Sequence, residues 1–356
     1  MEILLAAAVD IRTSDAPFLL AAALGRLGHR VSLLPVDSDL PRGAEAGLRQ
    51  GGYDDALYRH SFQRHTRRLA AHLKPDVLLI YGSNWAISPK TLTYCQSQLG
   101  MVVSLWEVNQ RIFNGTNRDQ VRSLPIYDHI FCLDSYYVPA YRASGLRCVE
   151  HLCAAADPEE HRRYKVTADE ELRYTADLSF IGTHHPNREI ALATLAPVVP
   201  KVRIYGYRWG DAKPPVSDWV EAEPAYGRKK AVIYALSRLS FHTRGPHMID
   251  GENFRVFEVA SCGGVTVASP TPDLEKCFRV GEEVLVYRSL DELPRVVSQA
   301  LSDPDRLSSM GQAAMRRVYA EHTYDIRAAT IIDHLEGCSH RAARASARGR
   351  RSTQSP

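Results

Sequence analysis

Short apolar runs alternate along this chain with longer stretches whose apolar residues recur every three or four positions. "EILLAAAVD" opens as a buried strand. "APFLLAAALGRLGH" follows as a helix, with Pro17 in its first turn and Gly28 near its end. "RVSLLPVD", "PDVLLIYG", "MVVSLWE" and "HIFCLDS" read as further strands, while "SFQRHTRRLAAHL" and "KTLTYCQSQLG" read as the helices between them. Strands that are apolar throughout and separated by helices predict a parallel sheet covered on both faces.

A second series starts after residues 153–175, a polar, charged stretch read as a linker. Its strands are "ADLSFIG", "KVRIYG", "LSFHTR", "GVTVAS" and "EVLVYRS". Its helices are "REIALATLAPVV", "RKKAVIYALSR", a segment ending in "FEVASCGG", and residues 291–302 and 305–320. Two β/α series of similar size predict two Rossmann-like domains, with ligands beyond the carboxyl ends of the strands. That places the loops after Gly182, Gly206 and Arg244 foremost.

Composition narrows the class. The hydrophobic fraction of 45% and charged fraction of 24% are ordinary for a globular protein. No apolar run reaches the ~20 residues of a membrane helix, so a cytoplasmic protein without an integral membrane segment is expected. The seven cysteines (Cys95, Cys132, Cys148, Cys153, Cys262, Cys277 and Cys338) are odd in number and form no C-x-x-C, which suits reduced thiols and gives no metal motif. Residues 339–356 hold five arginines and no acid; without them the formal charge of +3 becomes about −2. The tail has little apolar surface to bury and is expected to be disordered, with no nucleic-acid role.

"NFRVFEVASCGG" poses the main chemical question, because Glu258 stands between Phe257 and Val259 in an otherwise apolar helix. A carboxylate suits a ribose diol, and a helix start with arginines suits a pyrophosphate. Gly251, Asn253 and Phe254 lie at that helix start, Arg255 and Glu258 within it, and Gly263 and Gly264 end it. "FIGTHHPNR", "VRIYGYRW", "ENFRVFEVASCGG", "PDLEKCFRVGEEVLVYRSLDEL" and "HTYDIRA", in this order, resemble the carboxyl-terminal donor domain of the CgeB-like, spore-maturation family of glycosyltransferases. The segment "DSYYVPAYRASGLRCVEHLCAAADPEEHR" is similar to the end of their amino-terminal domain.

The resemblance implies the α/β GT-B fold: two facing Rossmann-like domains with parallel sheets and an interdomain cleft. The domains expected are 1–155 on the acceptor side, 156–322 for the donor, a terminal helix 323–338 returning to the amino-terminal domain, and the tail 339–356. In related retaining enzymes two acids are spaced E-x7-E; here Asp250 and Glu258 give D-x7-E, with Asp250 a catalytic or sugar-facing candidate or else a turn acid. Gly182, Thr183, His184, Arg188, Gly206 and Tyr207 are the donor-binding candidates of the loops, joined by Asn253, Phe254, Arg255 and Glu258. Arg188 also reads as an exposed first-turn residue. Loss of Glu258 is expected to weaken nucleotide binding and spare the fold.

On the amino-terminal side, "YGSNW" and "LWEVNQ" end strands; Trp85 and Trp106 are stacking or packing residues, Asn109 an acceptor contact, and Glu107 the candidate base. "DSD" at 37–39 matches a metal-binding D-x-D but is read as a loop. Dinucleotide, P-loop and nucleophile-elbow motifs are absent from the sequence. The function expected is metal-independent transfer of a sugar from a nucleotide-diphosphate donor, a substrate and not a cofactor, to a small-molecule or glycan acceptor. A nucleotide-sugar epimerase and a non-catalytic binding or surface-layer protein are the rivals.

Overall fold

The computed structural model describes residues 1–8, 15–35, 55–82, 87–108, 118–146, 148–221, 223–245 and 248–337. The chain divides into two compact units: Met1–Leu152 with the segment from Asp325 on, and Cys153–Tyr324.

The first unit is built on strands β1 (Glu2–Ala8), β2 (Arg30–Pro35), β3 (Val77–Gly82), β4 (Val102–Glu107), β5 (His129–Cys132) and β6 (Val149–His151). They form one sheet in the order β2-β1-β3-β4-β5-β6, parallel at every pairing. In register, Leu5 faces Leu33 on one side and Leu79 on the other. Every residue of β3 and β4 is buried, as a sheet covered on both faces requires. The helix Ala16–Arg26 carries Pro17 at its start, and Gly28 leaves it at φ +86°. β6 was not expected, since a three-residue strand is too short to show alternation. The expected helix at 90–100 is instead Pro89–Thr93 running into a π-helical turn, Tyr94–Gln98.

A last helix, residues 324–337, also counts with this unit from Asp325 onward. It buries Ala328, Ile331, Ile332 and Leu335, while Ile326 and Ala329 stay half-buried. Its His334 ring lies against His129 and Phe131 of β5, and Asp325 pairs with Arg26 at 2.7 Å.

The second unit holds β7 (Ala176–Ile181), β8 (Val202–Tyr205), β9 (Ser237–His242), β10 (Thr266–Ala268) and β11 (Leu285–Val286), ordered β11-β10-β9-β7-β8 and again parallel. The strand order reverses between β7 and β9. Such a reversal splays the following loops to opposite faces and opens a crevice at the strand ends. Phe180, Leu178, Ile204, Leu239, Phe241 and Val267 fill the core beside it. The helix Gly227–Leu236 passes into β9 without a loop, because Ser237 already pairs with Ala176. The charged stretch at 153–175 is not all linker: Thr167 and Glu170 close a capping box on the helix Ala168–Tyr174.

Candidate functional site

At the β7/β9 reversal, the helix Phe254–Ser261 brings Arg255 across both strand ends. Its Nε donates to the Ile181 carbonyl at 2.7 Å, and its Nη1 to His242 Nδ1 at 2.9 Å. Because Nδ1 accepts, the His242 proton sits on Nε2, which donates to Glu252 at 2.8 Å; Thr271 donates to the other Glu252 oxygen at 2.9 Å. Burial lowers the His242 pKa, and the Glu252 charge opposes that shift. The guanidinium is therefore aimed by a relay of buried groups.

A second guanidinium shares the place. Arg188, in the first turn of the helix Pro186–Ala193, is buried and donates to the Thr183 carbonyl at 2.5 Å. Arg188 and Arg255 lie 5.5 and 4.9 Å from the centre of one ring, Phe180. Burial, and after it the charge of Arg255, pushes the Arg188 pKa down to about 9, so it remains a cation at neutral pH. Among the described residues neither arginine forms a salt bridge, and the buried Nε of Arg188 has no hydrogen-bond partner. A buried cation beside a second, half-buried one, neither in an ion pair, is costly, and an anion would relieve it.

The loop glycines have steric work. A Cβ on Gly182 would come 2.6 Å from Arg255 Nη2. Gly206 has φ +140°, and a Cβ there would come 2.2 Å from the Gly182 carbonyl oxygen. Trp209 Nε1 donates to that same oxygen at 2.9 Å. His184 is held by Glu189 at 2.6 Å and lies edge-on to Trp209, whereas His185 and Tyr207 are exposed.

Glu258 lies one turn beyond Arg255 and is buried. Lys230 Nζ donates to it at 3.0 Å, and His161 Nε2 stands 3.7 Å away. His161 Nδ1 accepts from the Asp157 amide at 3.0 Å, so its proton faces the carboxylate. Neither Lys230 nor His161 was expected from the sequence. In "RKK" a lysine reads as a solvated face; the signal was the run after it, since Lys230 to Tyr234 are all buried. Asn253 caps the helix by accepting from the Arg255 amide at 3.0 Å, which occupies one of the donors expected at this helix start. Phe254 stacks on Tyr324, the planes 3° apart. Asp250 is half-buried in the loop before the helix; its carbonyl accepts from the Asp273 amide at 3.1 Å.

In the first unit Glu107 ends β4, fully buried, and accepts a hydrogen bond from the Tyr141 hydroxyl. Burial pushes its carboxyl up to about 8 against the opposing effect of that bond, so it is mostly neutral at pH 7. A carboxyl raised on folding contributes stability that is full below its unfolded pKa and is lost as pH rises through about 8. Thermal unfolding of wild type between pH 5 and 9 should therefore show a fall in stability that Glu107→Gln lacks; parallel profiles would refute a neutral Glu107. Trp106 packs edge-on to Tyr81 and donates to the Leu152 carbonyl at 3.2 Å. "DSD" at 37–39, Trp85 and Asn109 lie outside the described residues.

Residues 188–333 match the family described as glycosyl transferase-like. None of the curated protein sequences matches the chain. Among solved structures, Anabaena HepE in complex with UDP superposes at TM-score 0.67 with 12% identity, covering 95% of this chain and 100% of that one. Sucrose-phosphate synthase from Thermosynechococcus elongatus gives TM-score 0.67 and 14% identity over 97% and 100%. A putative UDP-N-acetylglucosamine 2-epimerase from Listeria monocytogenes gives 0.59 and 11% over 93% and 94%. Among the described residues no helix is long and apolar enough to cross a membrane. The chain thus has the GT-B fold, and its residues 188–333, beginning at the buried Arg188, match the glycosyl transferase-like family.

Proposed function

We propose that this protein is a glycosyltransferase whose second unit binds a nucleoside-diphosphate sugar, of the CgeB-like kind that its motifs resemble. The observation that carries the reading is the pair Arg188 and Arg255, two cations beside one ring at the strand-order reversal, neither in an ion pair among the described residues. A diphosphate supplies the missing charge. As the bond from the anomeric carbon to the diphosphate breaks, the leaving group gains charge beside guanidiniums already oriented by Ile181, His242 and Thr183. Glu258, one turn along the same helix, is the group for the ribose hydroxyls, and Asp250 the one for the sugar. No base is assigned on the acceptor side, because Glu107 is enclosed and mostly neutral. UDP is the first nucleotide to test, since the superposed HepE structures hold UDP and UDP-glucose.

Arg188→Met gives opposite signs on binding and stability. A charge-assisted bond to phosphate is worth roughly 1.5–3 kcal/mol, so UDP affinity should fall by about one to two decades. The melting temperature of the nucleotide-free variant should hold or rise, because a buried cation that forms no ion pair among the described residues has gone. Calorimetric titration and thermal unfolding measure the two, and unchanged UDP affinity in a folded variant would remove the assignment. With the guanidiniums neutralising the leaving group, added magnesium or manganese should leave turnover unchanged.

A further inference from the structure

Outside this cluster, three distant segments of the second unit meet. Cys153 lies in the segment after β6, Cys277 ends the helix Pro272–Cys277, and His322 follows the helix Pro304–Glu321. The two sulfurs and a ring nitrogen lie within 4.8 Å of one another, with Cys153 Sγ 4.0 Å from His322 Nδ1. His322 Nε2 stands 3.2 Å from the Cys277 carbonyl oxygen. A carbonyl only accepts, so Nε2 carries the proton and Nδ1 turns its lone pair toward the Cys153 sulfur. An imidazole oriented by a backbone carbonyl through its other nitrogen is the arrangement of a metal ligand.

The frame around it is fixed. The Ala156 amide donates to the His322 carbonyl and the Tyr324 amide to the Ala156 carbonyl, both at 3.0 Å. The rings of Phe257 and Phe278 lie 5.3 and 5.9 Å from the imidazole and wall it off. Cys277 and His322 are buried, and Cys153 is half-exposed, which leaves one open side.

We propose that Cys153, Cys277 and His322 bind one zinc(II) ion that ties these segments together. Two thiolates and a neutral imidazole cancel the charge of a divalent ion, so the site is neutral against its apolar wall, and binding releases the two thiol protons to solvent. Bonds of about 2.0–2.3 Å set ligand atoms roughly 3.5–3.8 Å apart in a tetrahedron, so only small closure is needed; water on the Cys153 side completes the set. A disulfide would need the sulfurs at about 2.05 Å and gives His322 no role. Magnesium and manganese favour oxygen ligands and do not compete here.

The full chain, stripped of metal under reductant, is titrated with cobalt(II) alone. A thiolate-to-cobalt charge-transfer band should saturate at one ion per chain and be bleached by zinc. Cys153→Ser and Cys277→Ser should abolish it, and Cys148→Ser should keep it. Since the cysteine variants could unfold, the wild type supplies an independent readout. Zinc should slow alkylation of Cys153 and Cys277 by at least about tenfold, because a metal-bound thiolate is no longer a free nucleophile, with Cys148 unaffected. Absence of the band, its survival in either site variant, or unchanged alkylation would overturn the site.

Discussion

A chain ended after Glu321 should be largely unfolded at room temperature. The cut removes the helix at 324–337, whose Ile331 and Leu335 are fully buried and whose Ile332 is nearly so. Burial of each such side chain is worth about 1.5–3 kcal/mol, so the three together contribute on the order of 5–9 kcal/mol. That is comparable to the whole stability of a typical domain, about 5–15 kcal/mol. The cut also removes His322, whose carbonyl and Tyr324's amide bridge to Ala156, so a point variant isolates the helix. Ile331→Ala with Leu335→Ala should cost about 4–10 kcal/mol through lost burial and cavities. A chain ended after Cys338 should keep wild-type melting temperature and turnover. Denaturant titration followed by circular dichroism ranks these chains; wild-type stability in the double variant would refute the role given to the helix.

Glu258→Ala should cost both nucleotide affinity and fold stability. The sequence alone leads one to expect the first effect only, because nothing in it marks a partner for the acid. The structure places Lys230 Nζ 3.0 Å from Glu258, with both side chains buried, so removal of the carboxylate strands a buried ammonium. Breaking one side of such a pair costs about 3–5 kcal/mol. Removing both charges with similar volume, as in Glu258→Leu with Lys230→Met, should recover most of that stability but none of the UDP affinity. Calorimetry on the double variant separates the two roles. If it binds UDP like wild type, Glu258 belongs to the fold and not to the donor site.

Part of the site was legible because its parts are local. The helix at "NFRVFEVASCGG" was legible in its start near Asn253 and in its end at Gly263, which has φ +75° and whose carbonyl accepts from Arg163. The loop glycines Gly182 and Gly206 stood out at the strand ends, and the structure gives the reason: Gly206 fits so closely against Gly182 that only glycine can stand there. The environment of each charged group was not legible. Arg188 reads equally well as an exposed first-turn residue, and only the fold shows it buried against Phe180. The Cys153–Cys277–His322 cluster joins residues up to 169 positions apart, a separation that no spacing rule detects.

The sequence by itself determined most of the succession of strands and helices, short β6 and the helix Ala168–Tyr174 excepted, because β-strand and helix periodicities are properties of neighbouring residues. It also determined that the sheets are parallel, since strands with no solvated face need helices on both sides. Tertiary structure decided the strand order, and with it the reversal between β7 and β9 where Arg255 bridges Ile181 and His242. It also decided which charges are paired: Glu258 found Lys230, His184 found Glu189, and Arg188 found another cation. The physical reason is that the energy of a charge depends on burial and on partners brought near by folding, and neither is encoded within one turn of chain.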